Sequence, residues 1–465
     1  MSLFMQAMNN IGTTANGAVT FKSSLNHCVD FFFLAGASRG KSGQFVAAFK
    51  KALVQDEETA IRTLLHTRDV RGGVGERQVV RDAVKWLISV NQDLAFRILP
   101  KMPALGRWDD VLTYFGTPLE QEAVALVLNA LLNERDFNCA KWMPRKGENA
   151  NNLRRAMKTT PKKYRKLLAA LSAGTVEQLI DKGEYDKIDF GKLPSIAAKR
   201  YQKHFGKVCP ERYGAYIESL QKGEAKINAA AIFPHDVVMG ALNGNDDVAS
   251  EQWKALPNYM EGSDEMIMPV IDVSGSMGMY SLPNSQANVM HVAISLGLYI
   301  AERNEGVFKN EYISFSGRPN FHKVPPKLSL KSRYGSILHS GEDCSTNIQG
   351  VFEVMLATAK RQNLKPEDLP QKLLIFSDME FNSADGGYTN FEAIERRYQE
   401  SGYPMPTLVF WNLNGRTGNV PVKFDQKNVA LVSGFSPAIV KAVLGGVLDP
   451  LKVMLKAISD QKYAY

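Results

Sequence analysis

The chain is poor in cysteine: 465 residues carry four, Cys28, Cys139, Cys209 and Cys344, with no CxxC pair and no short His/Cys spacing. That argues against a disulfide framework or a structural zinc site and fits a reducing cytoplasm. No apolar run approaches the roughly 20 residues needed to cross a bilayer, so no membrane partner is expected. The N-terminus, MSLFMQAMNN, lacks a basic segment followed by a long apolar one, so a secretory signal is not expected. Phe31-Phe32-Phe33-Leu34 follows Asp30 and reads as a buried helix segment. There is no GxxxxGK[ST] loop, no HExxH and no GxSxG elbow, which removes the commonest routes to nucleotide or ester hydrolysis. The seven histidines show no ligand spacing, and His27 beside Cys28 is not by itself a catalytic pair. An enzyme is not expected.

What is present is ordinary globular protein: 45% apolar, 22% charged, net charge +8. The length exceeds one hydrophobic core, so two or more domains are expected. From Gly43 to about Leu220, apolar residues recur at i, i+3, i+4 over Gln44–Gln55, Glu57–Thr67, Glu76–Val90, Leu119–Arg135, Pro161–Leu171, Ser195–Phe205 and Tyr213–Leu220. Short polar connections with Gly or Pro separate them. Successive helices without a strand between them predict an all-α, HEAT-like solenoid, although no clean repeat is visible.

From about Met266 the period changes. Met266–Val273 is a nearly continuous apolar run and reads as a buried parallel strand. Further strands are expected at Tyr312–Phe315, near Phe321–Val324, and at Lys372–Ser377, Pro406–Trp411 and Val429–Val432. Helices are expected at Ala287–Arg303, Ile348–Arg361 and Phe391–Glu400, with two closing helices at Pro437–Leu444 and Pro450–Ser459. Alternating elements with strands buried on both faces predict a doubly wound, Rossmann-like parallel α/β sheet. The expected organisation is therefore a helical domain at 1–223, a connector at 224–263 and an α/β domain at 264–465. Phe233-Pro234-His235 within the connector fits packing on either half.

The segment Asp272-Val273-Ser274-Gly275-Ser276 ends the first of these strands, where open α/β sheets bind their ligands. Three oxygen side chains on one turn suit a hard cation such as Mg²⁺. Thr346 precedes a helix and Asp378 follows a strand. The set Asp272, Ser274, Ser276, Thr346 and Asp378 resembles, position by position, the metal-ion-dependent adhesion site (MIDAS) of von Willebrand factor A-type and integrin inserted domains. The resemblance implies coordination by the serines and in some states the threonine, with the aspartates acting through water. It also implies a position left open for a partner's carboxylate. The alternative is a serine-rich turn that caps a helix. Glu380 would either tune the site or pair with a nearby base.

In the helical half the chain carries Arg68-Asp69-Val70-Arg71-Gly72-Gly73-Val74-Gly75-Glu76-Arg77, then Gly106-Arg107-Trp108-Asp109-Asp110 and Lys141-Trp142-Met143-Pro144-Arg145. These motifs, in this order ahead of an A-type domain, resemble the TROVE/Ro family and its uncharacterised relatives over roughly Phe32 to Ile458. The resemblance implies a ribonucleoprotein component that binds structured or single-stranded RNA through a basic helical surface. Between Lys141 and Lys166 stand ten bases and one acid: Lys141, Arg145, Lys146, Arg154, Arg155, Lys158, Lys162, Lys163, Arg165 and Lys166, against Glu148. Such a cluster fits phosphate contacts, or simply a solvated helix face. Trp142 and Tyr164 would be placed to stack bases. Arg68, Arg71 and Arg77 would contact RNA or else pair with Asp69, Glu76 and helix ends. The expected function is a non-enzymatic, cytoplasmic RNA-binding scaffold with a Mg²⁺-dependent docking point for a protein partner. The alternative is a metal-dependent interaction module without RNA.

Overall fold

The computed structural model of the chain describes residues 9–244, 246–315, 317–341, 345–384 and 388–465, so Cys344 lies outside the described residues. By packing, the chain forms two compact units, Met1–Thr63 with Ile232–Ser459 and Leu64–Ala231 with Asp460–Tyr465. These units differ from the expected division at 223 and 264, and backbone hydrogen bonding gives the reason. A hairpin of β1 (Ile11–Thr13) and β2 (Val19–Phe21) opens the chain, and Phe21 exchanges two 2.9 Å backbone bonds with Val420. Helix α1 (His27–Ala35), capped by Asn26, buries Phe31 against Phe45 and Phe49 of α2 (Ser42–Gln55). At the end of α1 a Cβ on Gly36 would lie 2.3 Å from the Ser433 carbonyl, so only glycine permits this approach. Non-local contacts of this kind leave no periodic trace in a sequence.

The helical unit takes in the end of α3 (Glu57–Arg68), then α4 (Gln78–Val90), α5 (Glu120–Leu132), α6 (Phe137–Trp142), α7 (Glu148–Ala156), α8 (Pro161–Leu171), α9 (Ser195–Val208) and α10 (Pro210–Gln221). Helices α4 and α8 carry buried residues at helical spacing, Val79, Val80, Ala83, Val84 and Leu87 in the first and Tyr164 and Leu168 in the second. Two of the sequence motifs meet here. The Asp110 carboxylate, wholly buried in a 3₁₀ segment (Trp108–Tyr114), accepts from Arg68 Nε at 2.8 Å, Arg81 Nε at 2.7 Å and Arg107 N at 2.9 Å. Arg68 thus pairs with Asp110 rather than with its neighbour Asp69, which instead accepts from Arg71 N, Gly72 N, Lys462 Nζ and Tyr463 Oη. Beyond residue 175, Phe190, Phe205, Tyr213 and Tyr216 form an aromatic cluster with ring centroids 5.1–6.2 Å apart.

In the other unit, the stretch expected to be a connector folds as α11 (Pro234–Leu242) and α12 (Asp246–Lys254). Trp253 Nε1 donates to Glu302 at 2.7 Å, and His235 meets Phe435 edge-on at 5.6 Å, so this segment packs within the sheet unit. Six strands follow: β3 (Ile267–Asp272), β4 (Glu311–Phe315), β5 (Asn320–Lys323), β6 (Lys372–Ser377), β7 (Thr407–Asn412) and β8 (Val429–Ser433). Their spatial order is β5-β4-β3-β6-β7-β8. All neighbours are parallel except β5, which pairs antiparallel with β4 as an edge, so the sheet is mixed rather than wholly parallel. Strands β3, β6 and β8 are buried at every position, which requires cover on both faces. Helix α13 (Val289–Arg303), apolar nearly all round, packs on β3; α14 (Ile348–Gln362), α15 (Asn390–Ser401) and α16 (Pro450–Ala457) complete the helical layers. The chain runs outward one way from β3 and the other way from β6. The crevice at their carboxyl ends is the topological switch point, where open α/β sheets place ligands. Among the described residues no helix is long and apolar enough to cross a membrane.

Candidate metal centre

Strand β3 delivers Asp272 to this crevice and β6 delivers Asp378. Past the end of β3, Ser274 N donates to Asp272 Oδ1 at 3.0 Å, tightening the turn that brings Ser274 Oγ within 3.2 Å of Ser276 Oγ. Across the switch point Ser377 Oγ donates to Asp272 Oδ2 at 2.6 Å. Ser377 was not singled out from sequence; its only signal is its place as the last residue of a buried strand, next to Asp378. Met379 adopts φ +65°, a left-handed backbone rare for a side chain of its size, and its N–H is held by Ser377 Oγ at 3.1 Å. Thr346 is clipped to the same loop, with its N–H on Asn382 Oδ1 at 3.3 Å and its carbonyl accepting from Asn382 N at 3.0 Å.

Asp272, Ser274, Thr346 and Asp378 are fully buried, while Ser276 is half-buried beside exposed Gly275, which forms the rim. Burial first, then the like charge of Asp378, raises the Asp272 carboxyl well above the usual carboxylate range. Asp378 is raised mainly by burial, opposed by the Glu380 backbone, Arg416 and the Ser276 hydroxyl that faces it. Two atoms point inward unpaired: Thr346 Oγ1 and Asp378 Oδ2 are buried and bond to nothing among the described residues. An unmade bond at a buried oxygen costs about 1–3 kcal/mol, so native proteins rarely keep two together without a further ligand. Two carboxylates with three hydroxyls form an all-oxygen donor set, which fits Mg²⁺. Among the described residues no group of three or more His, Cys, Asp or Glu side chains could hold a metal, so a cation centre here depends on the hydroxyls.

Glu380 stands outside the set. Its Oε1 accepts from Arg416 Nη1 at 2.5 Å and Asn419 Nδ2 at 2.6 Å, and its Oε2 from Ala15 N at 2.6 Å. Thr14 Oγ1 also donates to Phe381 O, so the N-terminal hairpin braces the Asp378 loop. Arg416 further contacts Tyr280 Oη, and Lys41 Nζ is held by Asn414 Oδ1 at 2.5 Å and Gly415 O at 2.6 Å.

In the helical unit the basic cluster divides. Arg145, Lys146, Arg155, Lys158, Lys162, Lys163, Arg165 and Lys166 are exposed on or beside α7 and α8, whereas Lys141 and Arg154 are half-buried. Arg155 pairs with Glu148 at 3.0 Å and Arg154 caps the Thr159 carbonyl at 3.3 Å. Tyr164, expected to stack bases, is instead buried with its hydroxyl on Pro144 O at 3.0 Å, because its position faces the core side of α8. One face of Trp142 is covered by the Arg107 guanidinium at 4.0 Å. Burial pushes the Cys28 thiol up to about 12, the opposite of an activated nucleophile.

Two family models match, both described as domains of unknown function: DUF2828 over residues 14–91 and 120–266, and DUF7788 over residues 267–461. The chain is 29% identical to an uncharacterized protein of Acanthamoeba polyphaga mimivirus over 97% of its own length and 88% of that protein. Among solved structures it aligns with the crystal structure of the Deinococcus radiodurans Ro (RSR) protein at a TM-score of 0.39. That alignment has 14% identity and covers 94% of this chain and 100% of the other.

Proposed function

We propose that the chain is a non-enzymatic binding protein whose sheet unit is a von Willebrand A-type domain holding a divalent cation as a docking point. Ser274, Ser276, Thr346 and Asp378 would hold the ion, with Asp272 oriented by Ser274 N and Ser377 Oγ. The ion would supply a Lewis-acidic position for a partner's carboxylate. The observation that carries this reading is the pair of buried unpaired oxygens, Thr346 Oγ1 and Asp378 Oδ2, at the switch point. Glu380, the nearest candidate base, has both oxygens occupied, which supports docking rather than hydrolysis.

The TROVE/Ro resemblance adds RNA binding by a HEAT-like helical unit in a cytoplasmic ribonucleoprotein. One observation favours it: Lys162, Lys163, Arg165 and Lys166 occupy the first turns of α8, where the helix dipole favours acids, and the first turn holds no acid. Mn²⁺ binding read by electron paramagnetic resonance should be saturable and lost in Asp378→Ala with unchanged circular dichroism. Single-stranded RNA binding read by anisotropy should fall with salt and with reversal of those four charges. Cation binding that survives Asp378→Ala defeats the first reading, and RNA affinity indifferent to both salt and reversal defeats the second.

A further inference from the structure

Besides the cation centre, the sheet unit holds a cavity of about 140 Å³ between the hairpin, α1, α2 and the loop after β7. One face of α2 lines it at helical spacing, Gln44, Ala47, Ala48 and Lys51, and α1 contributes His27, Asp30 and Leu34 in the same register. Phe33, Leu34, Ala47, Ala48 and Val420 make the apolar part, and the two alanines are what leave it open. The volume is close to the roughly 150 Å³ of a cavity that accommodates one benzene ring.

The charged lining is mainly basic. Lys22, Lys51 and Arg416 border the cavity; Lys22 Nζ also donates to Asn9 O at 3.0 Å, and Arg416 is paired with Glu380. The one acid among the lining residues, Asp30, is already engaged: Oδ2 accepts from Ser23 Oγ at 2.5 Å with His27 Nδ1 at 3.7 Å, and Oδ1 accepts from Ser24 N at 2.7 Å. Although Ser, His and Asp meet here, the Ser23 hydroxyl donates to the carboxylate and not to the imidazole, so the serine has no base and the arrangement does not activate it. Gln44 Oε1 is buried and bonds to nothing among the described residues, which leaves an acceptor at the wall.

We propose that this cavity binds a compact organic phosphate monoester, its phosphate among Lys22, Lys51 and Arg416 and a ring-sized body against Phe33, Leu34 and Ala48. Three cations around one mouth suit a doubly charged group with several acceptor oxygens better than a single carboxylate. The small volume excludes a drug-sized occupant from the enclosed part.

The test uses the full chain in EDTA, so that a divalent cation cannot recruit the probe, with phenyl phosphate followed by ligand-observed NMR. Saturable binding is expected, weakened about tenfold or more by Lys51→Glu, which sits on an exposed helix face, and by Ala48→Leu, which fills the cavity. Binding that persists in EDTA separates this site from the cation centre. Equal affinity for inorganic phosphate would show that the apolar wall plays no part and overturn the proposal, as would tighter binding of benzoate. Absence of saturable binding, or affinity unaltered in both variants, would overturn it equally.

Discussion

Asp110→Ala should be among the most damaging single changes in the helical unit. Asp110 and Arg68 are 0% and 1% exposed, and among the described residues the carboxylate is the only acid paired with that guanidinium, at 2.6 Å from Nη2. Burial lowers the Arg68 pKa, and the charge of Asp110 opposes that shift. Arg68 Nη1 already bonds to nothing among the described residues, so little else nearby is placed to take over. Removing one partner of a buried pair costs about 3–5 kcal/mol, because the other charge stays buried and uncompensated. Asp109 is a built-in control. It pairs with Arg81 at 3.0 Å and Arg107 at 2.7 Å but is 18% exposed, and solvent screening should hold Asp109→Ala to about 1 kcal/mol. Hydrogen exchange followed by mass spectrometry reads the helical unit separately from the sheet. Peptides across Arg68–Leu87 and Trp108–Leu132 should exchange about 200- to 5,000-fold faster in Asp110→Ala. Replacing both partners, Arg68→Met with Asp110→Leu, should recover most of the loss, since the Arg68 charge is then gone and Arg81 keeps Asp109 at 3.0 Å. If Asp110→Ala exchanges no faster than Asp109→Ala, the claim that desolvated charge dominates this motif is refuted. Gly106 belongs to the same argument: a Cβ there would lie 2.3 Å from Asp110 Oδ2 and 2.5 Å from the Arg68 guanidinium.

Thr346→Val removes a buried hydroxyl that bonds to nothing among the described residues. The variant should be about 1 kcal/mol more stable than the parent in EDTA and should lose stabilisation by Mg²⁺; a lower melting temperature in EDTA would contradict this. Burial depresses the His66 pKa from 6.5 to about 4, so the folded protein keeps this ring neutral while the unfolded chain protonates it. Stability of the helical unit should therefore be complete above pH 6.5 and decline as pH falls toward about 4, with a slope near one proton between about pH 6 and 5. Urea midpoints across that range should show this slope in the parent and not in His66→Phe.

That Asp272, Ser274 and Ser276 lie together was legible because a strand end and one turn hold all three, and spacing along a local element translates directly into proximity. Asp378 was legible because β6, buried on both faces, is a continuous apolar run with an acid at its carboxyl end. The same reasoning failed wherever partners are distant along the chain. Asp110 finds Arg68 and Arg81 at separations of 42 and 29 residues, and Glu380 finds Ala15 at 365. Tyr164 lies in a basic run yet faces the core, since successive residues of a helix point about 100° apart and a run of neighbours spreads over several faces.

Hydrophobic period, turn residues and the DxSxS turn were enough to determine that this chain has a helical stretch, a buried α/β sheet and a group of oxygen side chains at one strand end. Only the tertiary structure decided that β3 and β6 are adjacent, which brings Asp272 and Asp378 to one crevice and leaves two oxygens there without partners among the described residues. It also decided that residues 9–63 pack with the sheet unit. Strand order and backbone bonds between remote segments are set by which surfaces exclude water together, and that is a property of the whole chain rather than of any window of it.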